Sequence, residues 1–227
     1  MRRVLRALSV VLIVSGTLLI ADAGITLAWQ EPLSALIAQF NQDELSDELE
    51  SLEDQGLTQS DRQALADLRT ERLRMRYLAR KLDREADNGQ AIGRIEFPTL
   101  DSDFVVVQGT DSAALQKGPG HYDDTPLPGA PGTVAIAGHR TTYLAPFRDI
   151  NELGSGDEIV LRMPYGTFIY RFQEQKIVEP TAVYVTKRVG YDRLVLTACH
   201  PLYSAAQRIV VFARLISARP RGAALTG

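Results

Sequence analysis

The sequence has a single cysteine, Cys199, in 227 residues. One cysteine excludes an intramolecular disulfide framework. A single free thiol is most often a buried structural residue, but in a domain outside the cytoplasm it is a candidate reactive group. The net charge is only −3, which argues against a nucleic-acid-binding protein, because such proteins usually present a basic face. The chain also lacks a glycine-rich phosphate loop and any Cys/His/carboxylate cluster with metal-ligand spacing. We therefore predict neither a cofactor nor a metal site.

Long hydrophobic runs are absent except at the N-terminus, where residues 7–29 are apolar with Asp22 as the only charge. This is close to the ~20 residues that a helix needs to cross a bilayer. Three arginines, at positions 2, 3 and 6, precede the run and predict a single-pass cell-membrane protein with its N-terminus inside and the remaining chain outside. A cleaved signal peptide is the alternative, because residues 21–23 (Ala-Asp-Ala) have small-x-small form. We favour an uncleaved anchor, since the apolar character resumes up to Trp29, where an interfacial aromatic would lie.

The next segment, residues 30–89, has leucines at helical spacing among alternating acids and arginines. It predicts a helical stalk with a break near Gln55 and Gly56, and with Thr58 or Ser60 capping a later helix. The stalk either docks on the following domain or a partner, or is a solvated spacer between bilayer and domain. We favour the spacer.

From residue 90 the pattern changes to short apolar runs separated by Gly, Pro and Asp, which is typical of a β-barrel or sandwich. A hairpin turn is predicted within Met163–Thr167, and short helices at Ser112–Gln116 and near Pro146–Glu152. The expected organisation is an anchor (1–29), a stalk (30–89), a mainly β domain (90–217) and a disordered tail (218–227). The strand candidates are Ala91–Phe97, Phe104–Gln108, Gly132–Ala137, Glu158–Met163, Thr167–Val178, Arg193–Cys199 and Arg208–Ile216.

Three reactive side chains lie at the edges of these strand candidates. Cys199 ends one run, Arg208 begins the next, and His139 follows the run that ends at Ala137. A nucleophile, a proton carrier and a cationic stabiliser held by rigid strands suit thiol acyl transfer. The non-catalytic alternatives are a buried structural role for Cys199, a position in a turn or the core for His139, and a surface salt bridge for Arg208.

Two neighbours bear on the choice of histidine. Gly138 before His139 would let the backbone turn and expose the ring. His200 adjoins Cys199, but adjacent strand side chains point to opposite faces, and Pro201 follows at once. We therefore interpret His200 as secondary.

The segments Ala137–Tyr143 and Leu196–Cys199, with Arg208, resemble the sortases, membrane-anchored cysteine transpeptidases of Gram-positive bacteria. The string His139–Tyr143, followed by Ala145–Phe147, is most similar to the actinobacterial class E. The resemblance implies a closed β-barrel of about eight strands with short helices. It departs at Val195 and Ala198, which occupy two positions where threonine is usual, and at Leu144, where glycine is common.

The resemblance also implies a reaction. Cys199 would attack the Thr–Gly carbonyl of a C-terminal sorting signal, His139 would protonate the departing amine, and Arg208 would steady the substrate or oxyanion. The partners would be surface proteins bearing that signal, the membrane, and an amine of a peptidoglycan precursor that resolves the thioester. In class E the signal resembles Leu-Ala-x-Thr-Gly, and Tyr143 is the candidate for selecting its alanine. Further candidates for substrate contacts are Thr142, Thr197, Ala198 and His121.

Three other functions were weighed against this one. An L,D-type transpeptidase would have Gly before the cysteine and Arg two residues after it, and neither is present around Cys199. A pilus-polymerising sortase is disfavoured by the class E-like string and by the lack of an obvious Asp-Pro-aromatic lid. A non-catalytic, membrane-anchored domain that binds wall proteins remains the alternative from a different class.

Overall fold

The computed structural model of the protein describes residues 2–28, 32–55 and 57–224. The described chain contains five α-helices: α1 Arg2–Ala28, α2 Pro32–Asp54, α3 Gln59–Ala66, α4 Glu71–Glu85 and α5 Ser112–Lys117. Its eight strands are β1 Ala91–Phe97, β2 Ser102–Gln108, β3 Gly120–His121, β4 Thr133–Ala137, β5 Glu158–Met163, β6 Gly166–Val178, β7 Arg193–His200 and β8 Gln207–Pro220. Short 3₁₀ turns lie at Pro98–Leu100, Ile150–Glu152, Val183–Thr186 and Gly222–Ala224.

The strands form one closed barrel in the order β1-β2-β3-β4-β7-β8-β6-β5. The predicted eight-stranded barrel is therefore confirmed, and the eighth strand is the two-residue β3, which no sequence pattern marked. Only β2–β3 and β4–β7 run parallel, and every other neighbouring pair is antiparallel. Closure gives each strand two partners, although the second half of β6 pairs only with β8.

Alternation along β7 divides its side chains between two environments. Leu194, Leu196 and Ala198 point into the barrel and belong to the main core. Val195 points outward and packs in a smaller cluster with Val210 and neighbours. The period of two places Cys199 on the outer face as well, at the end of the strand.

The segment after α1 packs on the barrel, so the prediction of a solvated spacer was wrong. Leu45 and Leu49 of α2 are buried against β1 and β2, together with Val105 and Val107. Helix α4 contributes Met75, Leu78 and Ala79 to the main core. The predicted cap of α3 is Thr58, which forms a reciprocal capping box with Asp61.

The chain end also differs from expectation. Strand β8 continues to Pro220, where it pairs with Gly166, and Ala224 is buried in the turn that follows. The tail is therefore ordered to residue 224, because its backbone completes the β6 ladder, and residues 225–227 lie outside the described chain.

At the other end, α1 includes Arg3–Ala21, a segment long and apolar enough to cross a membrane, none of it buried within the structure. Trp29, the expected interfacial aromatic, lies outside the described residues.

Candidate active site

The site is organised by three neighbouring strands, β4, β7 and β8. In the parallel pair β4–β7, Ala137 lies opposite Thr197. His139 lies two residues after Ala137, and Cys199 lies two residues after Thr197. In the antiparallel pair β7–β8, Cys199 lies directly opposite Arg208. Cys199 and Arg208 thus face each other across adjacent strands, which are ~5 Å apart in any sheet, and His139 follows the end of the next strand, β4. We refer to these three residues as the row.

The backbone after β4 is held close to β7 by Gly138. Its amide donates to the carbonyl of Thr197 at 3.0 Å, and the amide of Phe147 donates to the carbonyl of His139 at 2.9 Å. A Cβ atom on Gly138 would lie 2.6 Å from the ring of Phe147, which is fully buried. The glycine is needed for this close packing, rather than to expose the histidine ring as the sequence suggested.

Between His139 and Phe147 the chain makes a left-handed turn. Tyr143, Leu144 and Ala145 have φ values of 50°, 61° and 44°. These are strained for residues with a Cβ and favour glycine, which accounts for the glycine usual at position 144 in the resembling proteins. The turn brings the ring of Tyr143 to 5.2 Å from the ring of His139, tilted by 41°.

Cys199 is half-buried, and a cleft of about 140 Å³ lies on the outside of the barrel next to its strand neighbours. The cleft is lined by Thr197, Arg208 and Tyr122, and by the loop that follows β6. The hydroxyls of Tyr122 and Thr197 lie 2.9 Å apart. Thr197 is two residues before Cys199 in β7, so strand alternation places it on the same outer face as the thiol. This is the face on which a substrate-contacting residue must lie.

The charges of the site suit a resting acid–base pair. Burial lowers the pKa of His139 below its ordinary value of 6.5, so the imidazole is mainly neutral at pH 7 and can accept a proton. Arg208 donates from Nη1 to the carbonyls of Ala205 and Gln207, both at 3.0 Å. It forms no ion pair within the described chain, which removes the surface salt bridge as the explanation for this arginine.

Comparison with known proteins decides the family. The model of the sortase domain matches residues 95–216, more than half of the chain. The chain belongs to the sortase family. Sortase D of Bacillus subtilis is 34% identical over 136 residues, which cover 58% of this chain and 67% of that protein.

Class E sortases are also among the relatives. Sortase SrtE1 of Streptomyces coelicolor is 32% identical over 149 residues, covering 59% of this chain and 42% of its own length. The crystal structure of sortase E1 from that organism, with a tripeptide in the active site, superposes with a TM-score of 0.56 at 30% identity, covering 58% of this chain and 91% of that one. The matched part of this sortase is its barrel, which carries all three residues of the row.

One residue near the cysteine of this sortase was missed by the sequence reasoning. Arg140 is only 5% exposed, and its guanidinium donates to the carbonyl of Arg148 at 2.9 and 3.1 Å and to Oδ1 of Asn151 at 2.6 Å. Its Nη1 lies 3.5 Å from the carbonyl of Cys199 and 3.4 Å from Nδ1 of His200. Arg140 therefore ties the end of β7 to the loop after β4. An arginine is seldom so buried, and no sequence signal marked it.

The contact with Arg140 also shows which way the ring of His200 is oriented. Its Nδ1 faces the guanidinium of Arg140, on the side of the backbone away from the cleft. A base next to a buried cation is poorly placed to take the proton of Cys199, so His139 remains the candidate proton carrier.

Two of the candidate substrate residues lie away from the cleft. Ala198 is 3% exposed inside the barrel, because strand alternation turns it away from Cys199. His121 is 1% exposed, with its ring nitrogens 3.1 Å from Oε1 of Gln108 and 3.1 Å from Oγ1 of Thr125. Desolvation lowers its pKa to about 4, so it is a neutral structural histidine. Both assignments are corrected.

The remaining candidate, Thr142, lies in the left-handed turn. Its carbonyl accepts from the amide of Ala145 at 2.8 Å, and its side chain is partly exposed. It stays a candidate together with Tyr143 and Thr197.

Proposed function

We propose that this sortase is a membrane-anchored transpeptidase that cleaves a Leu-Ala-x-Thr-Gly-like C-terminal sorting signal between Thr and Gly. It then transfers the protein to an amine of a cell-wall precursor. The observation that carries the proposal is the row of His139, Cys199 and Arg208 at the ends of neighbouring strands, with Arg208 lining a cleft on the outside of the barrel. Nucleophile, proton carrier and cation lie at or just beyond the ends of neighbouring strands, which suits acyl transfer.

The chemistry follows from the row. The neutral imidazole of His139 takes the thiol proton of Cys199, and the sulfur attacks the Thr carbonyl carbon. The C–N bond to Gly breaks as His139 returns the proton to the leaving amine, which leaves a thioester. The acceptor amine attacks that carbonyl, loses a proton to His139, and expels the thiolate. Arg208 stabilises the oxyanion formed in both steps.

Selectivity for alanine at the second signal position is assigned to Tyr143. The left-handed turn packs its ring beside His139, so the ring borders the place where the residues before the scissile bond must lie. An aromatic wall there leaves room for a methyl group and crowds a proline ring. One such contact is worth ~1–3 kcal/mol, so discrimination of about 10–200-fold is expected.

The decisive experiment is mass spectrometry of the full chain incubated with a Leu-Ala-x-Thr-Gly peptide. We expect an acyl adduct on Cys199 and none on Cys199→Ala. His139→Ala and Arg208→Ala should each lower kcat/KM by ~10²–10³ or more. His200→Ala is the matched control, and an effect as large as that of His139→Ala would overturn the proton-carrier assignment. A chain that binds the peptide without any adduct would instead be the non-catalytic wall-protein binding domain.

The same assay measures selectivity. The kcat/KM ratio of Leu-Ala-x-Thr-Gly to Leu-Pro-x-Thr-Gly peptides should exceed ten and should narrow in Tyr143→Ala. Equal rates on both peptides, or a ratio untouched by the substitution, would remove Tyr143 from the account.

A further inference from the structure

A hollow of about 190 Å³ lies between α4 and the loop that precedes β4. Three arginines line it: Arg76 and Arg80 from one face of α4, and Arg188 from the loop between β6 and β7. The rest of the lining is mainly apolar and includes Leu127 and three residues around it. The Nε atom of Arg76 is buried without a hydrogen-bond partner in the described chain, so the side chain of this arginine is not fully satisfied.

The charges in the hollow are unbalanced. Within the described chain, Arg76, Arg80 and Arg188 form no ion pair. One carboxylate, Asp83, also lines the hollow, and burial raises its pKa against the opposing charge of Arg84, with Asp123 adding to the rise. Three arginines and one carboxylate therefore line the hollow. Arginines without ion-pair partners around one hollow favour a multiply charged oxyanion, above all a phosphoryl group, which accepts several hydrogen bonds at once.

The hollow is also connected to the catalytic cleft. It adjoins a depression of about 550 Å³, with which it shares Pro126, Pro131 and Arg188. That depression in turn shares Asp124 and Val183 with the cleft that contains Arg208. A series of adjoining depressions thus leads from the arginines to Arg208 of the row.

We propose that this arginine hollow is a binding site for the phosphoryl group of a phosphate or diphosphate ester. Two sources share this chemistry: the headgroups of net anionic phospholipids in the bilayer in which α1 would be anchored, and a diphosphate carried by a lipid-linked acceptor. The connection to the cleft favours the acceptor, and this part of the inference rests on the proposed function. The site itself rests only on the arginines, the orphan donor and the cavity.

The test is isothermal titration of the full chain in neutral phosphatidylcholine nanodiscs with inorganic pyrophosphate. The chain carries Cys199→Ala, so that binding is measured independently of thioester chemistry. We expect saturable binding that weakens at least tenfold in Arg76→Gln/Arg80→Gln. The matched control Arg62→Gln/Arg69→Gln removes the same charge from exposed positions outside the hollow and should leave binding unchanged. Absent binding, or equal weakening in both variants, would overturn the site.

Two further arms distinguish the sources. If nanodiscs containing phosphatidylglycerol suppress pyrophosphate binding, the hollow takes the headgroups of net anionic phospholipids. If they do not, and farnesyl diphosphate competes with pyrophosphate, the hollow takes a diphosphate ester, as an acceptor would carry. Neither arm depends on acyl-enzyme formation, so failure here and failure of the proposed transpeptidation are separately visible.

Discussion

Because Gly138 has no side chain, the backbone just before the candidate proton carrier His139 can pack closely against Phe147. Alanine there would place a methyl group 2.6 Å from the Phe147 ring, which is buried and cannot move freely. We expect Gly138→Ala to lower the free energy of unfolding by ~1–3 kcal/mol, as overpacking usually does, and to lower kcat/KM because His139 is displaced. Gly154→Ala is the control, since nothing lies within 4 Å of its added Cβ. Urea denaturation should give a lower free energy of unfolding for Gly138→Ala than for Gly154→Ala. Equal free energies of unfolding for the two variants would contradict the packing argument.

His121 gives the fold a defined pH response. Its pKa is about 4 in the folded chain, and an unfolded histidine titrates near 6.5. Between these values the unfolded chain binds a proton that the folded chain refuses, so stability is complete above pH 6.5 and falls as the pH approaches 4. A difference of this size corresponds to about 3 kcal/mol. His139, whose pKa is also lowered, acts in the same direction.

We therefore expect the free energy of unfolding of the full chain, measured in detergent micelles, to decline from pH 6.5 to 4. In His121→Gln the decline should be shallower over the same range, whatever the stability of the variant at pH 7. A parallel decline in both proteins would show that His121 is not the group responsible.

At the scale of the elements, α2 closes a gap in the barrel. β2 pairs with β1 along its length but with β3 only at Val107 and Gln108, so the outer edge at Val105 is open. The side chain of Gln42 fills this place: it accepts from the amide of Val105 at 2.7 Å and donates to its carbonyl at 3.2 Å. It also donates to the carbonyl of Lys117 at 2.9 Å. Gln42 thus substitutes for a missing strand.

Gln42→Ala should lower the free energy of unfolding by ~1–3 kcal/mol, because it leaves buried backbone groups of β2 without partners. Gln39→Ala removes an exposed amide on the same helix, bonded only to Asp43, and should change stability by less than ~0.5 kcal/mol. Hydrogen exchange at the amide of Val105 reports the same contact directly. An unchanged exchange rate in Gln42→Ala would mean that α2 does not complete the sheet.

The elements that could be predicted from the sequence are those with a local pattern. Seven strands, the hairpin at Pro164 and Tyr165 and the cap at Thr58 are marked by apolar runs, turn residues and a hydroxyl at helical spacing. β3 has only two residues, which is too short to show an alternating apolar pattern. The end of β8 lacks an apolar pattern and is held to β6 by backbone pairing, which the sequence does not record.

The residues of the site also divide into those that a local sequence pattern marks and those that only the tertiary structure brings together. His139, Cys199 and Arg208 adjoin apolar runs, so chemistry and position together marked them. Arg140 and Tyr122 reach β7 from 59 and 75 residues away, and no local pattern records such contacts. Ala198 was misassigned because proximity in sequence to Cys199 was given more weight than strand alternation, which turns adjacent side chains to opposite faces.

At the scale of the whole molecule, the apolar α1 and the position of the only cysteine make the membrane topology directly measurable. The arginines before the apolar segment predict that the N-terminus stays inside and that the barrel lies outside. A membrane-impermeant maleimide added to intact protoplasts should therefore label Cys199 as fully as it does after detergent lysis. In the variant Cys199→Ala/Leu5→Cys the thiol should react only after lysis. Labelling of Leu5→Cys in intact protoplasts would reverse the orientation, and a mature N-terminus near Gly24 would mean that α1 is cleaved rather than retained as an anchor.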